Sequence, residues 1–300
     1  MHSISDIKQG VAKGDFLLLA KAISFIENNV VAANTFLEAL VPAQVPIMGI
    51  TGPPGAGKST LINALISTWV EEGKKVAVLS VDPSSPFHQG AILGDRIRMK
   101  DWYLHPQVFI RSFASRGHLG GLNSSMIELT TLLQAVGFDQ IVLETVGVGQ
   151  SEVEVASLAD TTVVVLVPEA GDEVQMMKSG LMEVADVFVV NKSDRPDAEI
   201  FTNHIRQMIM EHGVSDAHFK VIPTIASQGV GMKELIQALD AYQIANKELD
   251  TRHKLIVAKV VQLIVAHKMR QLDLIKLEED VAAAISKEGF NIFSFTQNYF

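Results

Sequence analysis

Residues 52–59 read Gly52-Pro53-Pro54-Gly55-Ala56-Gly57-Lys58-Ser59, the spacing G-x-x-x-x-G-K-S/T. Glycines let a backbone curl until successive N–H groups point inward, where they can cradle phosphate oxygens. An apolar strand precedes the loop and a helical run, Thr60 to Val70, follows it, so the helix dipole adds its positive end. Lys58 can then bridge β- and γ-phosphates, and the Ser59 hydroxyl can ligate Mg²⁺. Gly52, Pro53, Pro54, Gly55, Ala56, Gly57, Lys58, Ser59 and Thr60 are the expected triphosphate cradle.

A second segment speaks to the base. Asn191-Lys192-Ser193-Asp194 follows the apolar run Val187–Val190 and has the form N-K-x-D. The Asp194 carboxylate can accept from both N1–H and the exocyclic amine of guanine, which adenine does not offer in that geometry. Asn191 and the Lys192 stem would hold the loop and cover the base. Ile225-Ala226-Ser227 comes after another apolar run, with the Ala226 N–H as the candidate donor to guanine O6. GTP and GDP are therefore the expected substrate and product.

Carboxylates at strand ends suit the metal. Gln140–Leu143 is apolar, then comes Glu144, which could hold Mg²⁺ through water. Asp82, in Val81-Asp82-Pro83, stands behind it in the same scheme, and Asp95 could bind the ion once its loop is ordered. Each could instead cap a helix or sit in a solvated turn. Gly147 is placed to give its N–H to the γ-phosphate. Many GTPases put a water-orienting Gln directly after that glycine. Here the position is Val148, with Gln150 two residues on, so slow turnover is expected. His88, His105 and His118 are too scattered to form a metal site and read as surface or packing residues. Met176 and Met177 read as core filler.

These segments need a scaffold. Candidate strands are Val45–Ile50, Val76–Val81, Val108–Ser112, Gln140–Leu143, Thr162–Val167, Val187–Val190 and Val221–Ile225, several nearly continuous in Val, Ile and Leu. Such runs suit strands buried on both faces, and helical stretches between them predict a parallel sheet covered by helices. Residues 1–44 read as a helical extension, 45–231 as the nucleotide domain and 232–300 as a helical arm with an aromatic tail. Between 232 and 288 there is neither Gly nor Pro. The apolar stripe there is wider than one packing face needs, which favours burial against a second subunit over simple packing on the sheet.

Composition sets outer bounds. The 300 residues carry 25 Lys and Arg against 34 Asp and Glu, a net charge of −9. Such a chain is a poor non-specific binder of nucleic acid or anionic membrane. It has no Cys, which excludes disulfides, thiolate metal sites and a Cys nucleophile. No run approaches a membrane span, and no leader is evident, so a cytoplasmic, bacterial protein is expected.

Taken in order, Gly52–Ser59, Asp82-Pro83-Ser84-Ser85-Pro86, Gly94-Asp95-Arg96-Ile97-Arg98-Met99, Arg116–Gly121, Glu144–Glu152 and Asn191–Asp194 resemble the methylmalonyl-CoA mutase-associated GTPases, the MeaB/ArgK group of P-loop proteins. The resemblance spans about residues 5 to 285. It implies a doubly wound, mainly parallel α/β fold with a helical N-terminal extension and a C-terminal dimerisation arm. It further implies a homodimer and Mg²⁺-dependent hydrolysis of GTP that gates cofactor delivery to, and protects, an adenosylcobalamin-dependent acyl-CoA mutase. In that scheme Lys58, Gly147 and Gln150 serve hydrolysis, and Ser59, Asp82, Asp95 and Glu144 serve the metal. Glu169–Lys178 resembles the family's third switch, with Asp172, Gln175 and Lys178 coupling nucleotide state to the mutase. Ile225, where relatives often have a small polar residue, and the aromatic tail after Gly289 depart from the pattern. Competing readings are a kinase of a basic amino-acid transport system and a nickel- or cobalt-insertion GTPase; the absence of Cys and of a His tract disfavours the latter.

Overall fold

Seven apolar runs form one sheet: β1 (Ile47–Thr51), β2 (Val76–Pro83), β3 (Val108–Ser115), β4 (Gln140–Thr145), β5 (Thr161–Leu166), β6 (Val187–Val190) and β7 (Lys220–Pro223). The computed structural model describes residues 3–28, 30–83, 99–115, 126–145, 158–168, 185–211, 220–246, 257, 260–261, 263–265, 267–269, 272–286 and 289–299. The strand order is β3-β2-β4-β1-β5-β6-β7, with every pairing parallel. All seven expected strands are present, with ends shifted by up to three residues.

Helices cover both faces because the strands are apolar on both faces. On one face Ile47, Leu79, Ile141 and Leu143 meet α1 (Ile4–Lys13), α2 (Leu17–Asn28), α3 (Val30–Glu38) and α5 (Met126–Val136). On the other, Met48, Ile50, Val142, Val163 and Val165 meet α4 (Lys58–Glu71) and α7 (Met232–Asn246). The alternate residues Val164, Leu166, Phe188 and Val190 pack on α6 (Ala198–Glu211). Thus odd and even positions of each strand go to opposite layers, as the two-residue period of a strand requires.

The N-terminal helices share this core. Ile7, Val11, Leu19, Ile23 and Ile26 are buried in the first layer. A capping box, Ser3 with Asp6, starts α1, and Gly14 at φ 76° ends it. Arg111 on the edge strand β3 fastens α2, donating to Ala20 O, Ser24 Oγ and Glu27 Oε2. At the opposite end of the sheet from the candidate site, Asp139, Asp160 and Asp186 each precede a strand. They accept from the N–H of Lys75, Ile47 and Thr162, respectively. These carboxylates hold strand starts.

The chain divides into two units, 1–252 and 253–300. Met232, Leu235, Ile236 and Leu239 of α7 are core residues of the first unit, because that helix closes the layer beside α4. The second unit holds helical residues between 257 and 269, then α8 (Leu274–Ile285) and α9 (Ile292–Thr296). Its aromatic tail packs on itself: the Phe295 ring lies 5.8 Å from Phe290 and 5.5 Å from Tyr299. The Tyr299 hydroxyl donates to Asp280 of α8. Among the described residues no helix is long and apolar enough to cross a membrane.

Candidate nucleotide-binding site

In a doubly wound sheet the ligand crevice lies beyond the carboxyl ends of the strands, where successive connections diverge. Here β1 has β4 on one side and β5 on the other, and the chain leaves β1 directly into the 52–59 loop. Gly52 has φ 140°, and a Cβ there would stand 2.1 Å from the Val165 carbonyl oxygen. Only glycine lets the loop pass that close to β5. Helix α4 begins at Lys58 without a side-chain cap, so its first N–H groups face the loop. Lys58 is buried and folds back, its Nζ donating to Gly52 O at 2.7 Å and Pro53 O at 3.0 Å. The ammonium thus lies inside the cradle, at the place a triphosphate would need charge.

The metal side of the site is built by register. Ser80 of β2 and Ile50 of β1 both pair with Glu144 of β4, so the three side chains point to the same layer, the one occupied by α4. Glu144 is 5% exposed. Its Oε1 accepts from Ser59 Oγ at 2.7 Å and its Oε2 from Ser80 Oγ at 3.1 Å. A buried hydroxyl and a buried carboxylate in contact are hard oxygen donors, and Mg²⁺ commonly takes one or two such groups, completing its shell with phosphate oxygens and water. The residues present fit that ion. Among the described residues no group of three His, Asp or Glu side chains could hold a metal on its own. One residue further along, Thr145 Oγ1 donates to Thr51 Oγ1 at 2.9 Å. Asp82 lies one strand away, paired with Ala114, and its side chain is outside what is described. Asp95, Gly147, Gln150, Asp172, Gln175, Lys178, His88, His118, Met176 and Met177 lie outside the described residues.

The base loop is held by one amide. Asn191 follows β6 and is 3% exposed. Its Nδ2 donates to Ala56 O of the phosphate loop at 2.9 Å. Its Oδ1 accepts from Thr224 Oγ1 and from the Ala226 N–H, each at 3.1 Å. Gly57 makes room for it: a Cβ there would meet Asn191 Nδ2 at 2.4 Å. Lys192 adopts φ 57°, turning the chain so that Asp194 stands exposed. The Ala226 N–H, the candidate donor to guanine O6, donates here to Asn191 Oδ1. Ile225 is half-buried, and Ser227 is exposed in the short turn Ala226–Gln228. His105 is a packing residue, its ring 5.4 Å from Trp102 and its Nδ1 accepting from Gln107 N.

Two residues escaped the sequence reading. Thr224 is buried; its N–H donates to Val190 O, its carbonyl accepts from Ser193 N, and its hydroxyl donates to Asn191. Ser80 is the other. The signal for Ser80 is a lone polar residue in the apolar run Val76–Val81; for Thr224 it is a hydroxyl immediately after β7.

The family model described as methylmalonyl Co-A mutase-associated GTPase MeaB matches residues 19–278. A Pyrococcus horikoshii protein named as a GTPase is 40% identical over 302 residues, covering 96% of this chain and 95% of that one. The mitochondrial methylmalonic aciduria type A homolog of Mus musculus is 33% identical over 281 residues, 84% of this chain and 68% of that one. The crystal structure of an LAO/AO transport system kinase aligns over 99% of this chain and 93% of its own, with a TM-score of 0.66 and 25% identity.

Proposed function

The chain belongs to the methylmalonyl-CoA mutase-associated GTPase family, and on that premise we propose that it hydrolyses GTP as a conformational timer for an adenosylcobalamin-dependent acyl-CoA mutase. The observation that carries the nucleotide reading is the Asn191 side chain, which ties the phosphate loop at Ala56 to the N-K-x-D loop and to Thr224 and Ala226. This side chain supports the reading by joining the loop that would hold phosphate to the loop that would hold the base. Asp194, exposed at the tip of its loop, would accept from guanine N1–H and its amine, with Lys192 and Ser227 beside the base.

In the reaction, water attacks the γ-phosphorus, the bond to the β–γ bridging oxygen breaks, and GDP and phosphate leave. Lys58 neutralises charge on the β- and γ-oxygens. Ser59 and Glu144 would hold Mg²⁺, with Asp82 and Asp95 as further oxygen donors; when bound, the ion neutralises charge on the β- and γ-phosphates. Gly147 would give its N–H to the γ-phosphate and Gln150 would orient the water. Val148, standing where many GTPases carry that Gln, can neither donate nor accept a hydrogen bond, so intrinsic turnover is slow.

A slow clock suits a chaperone whose GTP state must outlast a loading step. The segment Glu169–Lys178, through Asp172, Gln175 and Lys178, would couple nucleotide state to the mutase, gating delivery of its cofactor and protecting it. The protein would act in the cytoplasm as a homodimer. Dimerisation is supported by the half-exposed Val257, Val261, Ile264, Val265 and Met269 of the second unit. Single-turnover hydrolysis with and without the mutase tests the reading: low basal turnover, stimulated several-fold, is expected. Gln150→Ala should blunt the stimulation more than the basal rate. A fast basal rate indifferent to any acyl-CoA mutase would overturn the timer and the partner together.

A further inference from the structure

Ser80 sits on β2 with its side chain only 2% exposed, inside a run that is otherwise apolar. A buried hydroxyl in a sheet layer is costly unless its hydrogen bond is made. Its bond goes to Glu144 Oε2, in direct cross-strand register, while Ser59 occupies Oε1. The two hydroxyls therefore grip the carboxylate from two sides, one on the phosphate-loop helix and one on the neighbouring strand.

We propose that Ser80 is a positioning residue for the metal site, fixing the rotation of the Glu144 carboxylate so that Oε1 stays aimed at Ser59. This rests on the GTPase reading above. A carboxylate that loses a partner at one of its oxygens turns more freely about its terminal bond, which is broad and soft. Held at both, it keeps the Ser59 hydroxyl proton in one direction, leaving the lone pairs of Ser59 Oγ turned toward the cradle. A cation that takes those lone pairs then finds a ligand already oriented and meets no reorganisation cost. Ser80 never touches the ion or the nucleotide; it acts through Glu144. Groups of this kind, bonded to a metal-holding residue, change metal affinity by about 10–100-fold when removed.

The experiment measures Mg²⁺ and nucleotide binding separately in the full chain. GDP affinity is titrated in EDTA, and the Mg²⁺ requirement is read from the Mg²⁺ dependence of nucleotide release. Mn²⁺ binding to the GDP complex, followed by its spin-resonance signal, gives a readout independent of hydrolysis. For Ser80→Ala the expected result is an Mn²⁺ and Mg²⁺ requirement raised by about tenfold, with GDP affinity in EDTA within about twofold of wild type, since no phosphate contact is lost. Ser80→Thr, which keeps the hydroxyl and suits a strand, should restore the wild-type requirement. If Ser80→Ala does not fold, Ser80→Cys, nearly isosteric but a weak donor, should show the same direction of shift. A Ser80→Ala or Ser80→Cys protein with an unaltered metal requirement overturns the role of Ser80 alone. A wild-type protein whose GDP binding ignores Mg²⁺ and Mn²⁺ overturns the metal reading on which it rests.

Discussion

Replacing Asn191 by Ala removes three hydrogen bonds at a site that is 3% exposed. The partners left behind differ in what they can do next. The Thr224 hydroxyl can rotate toward another acceptor. Ala56 is buried, but its carbonyl has a second lone pair and can accept from a water that enters the space the deleted amide leaves. The Ala226 N–H is fixed by the backbone turn that follows it and has no such freedom. A buried polar group left unmade costs about 1–3 kcal/mol, so with partial relief for two of the three the total is about 2–4 kcal/mol. That sum is shared between two readouts. Whatever part is relieved by loosening of the loops in the free protein returns as a cost when nucleotide binding demands their closed arrangement.

If most of it falls on binding, GDP and GTP affinity drop by about 30- to 700-fold. If most falls on the fold, the urea midpoint drops and affinity changes little. Fluorescent-nucleotide titration together with urea unfolding measures both. Asn191→Asp sharpens the test: it keeps an acceptor for Ala226 but sets a carboxylate against the Ala56 carbonyl. It should therefore damage triphosphate binding at least as much as Asn191→Ala does. An Asn191→Ala protein with GDP affinity within threefold of wild type and an unchanged urea midpoint would refute the idea that this amide joins the two halves of the site.

Asp194→Asn should lose GTP affinity by at least about 30-fold, because two guanine donors lose a charged acceptor, and should prefer xanthosine nucleotides, whose C2 carbonyl matches the new amide; equal binding of ATP and GTP by the wild type would defeat the guanine assignment. Asp186 should make stability pH-dependent. Burial raises its pKa above the ordinary 3.8, against hydrogen bonds from Tyr242 and Thr162 that lower it. The folded state thus holds its proton longer, and this group's contribution is full below about pH 4 and is lost as pH rises through the raised value. Tyr242→Phe removes a donor to the carboxylate, so it should cost more at pH 7 than at pH 4, by about 1 kcal/mol, in urea midpoints; an equal cost at both would refute the sign. Finally, the second unit should mediate self-association, and Val261→Glu with Ile264→Glu should shift sedimentation toward monomer; a wild type already monomeric at tens of micromolar would defeat this.

Much of this protein was legible in one dimension because its chemistry depends on contiguous backbone. The 52–59 loop and the N-K-x-D tetrapeptide would each act through neighbouring residues, so spacing alone pointed to Lys58, Ser59, Asn191 and Asp194 as candidates. The seven strands were legible for a similar reason: a strand buried on both faces must be apolar throughout, and that leaves a continuous run. What the tertiary structure decided is what pairs across the sheet. Ser80 meets Glu144 only because β4 inserts between β1 and β2, a crossover that no local pattern encodes. The Ala226 N–H goes to Asn191 only because β6 and β7 end side by side. Helix α7 joins the first unit because its apolar residues find the layer beside α4, while the apolar residues between 257 and 269 carry the same kind of stripe and stay half exposed. Periodicity says that a face will be buried; only the fold says against what, since burial is a property of neighbours and not of the segment that carries it.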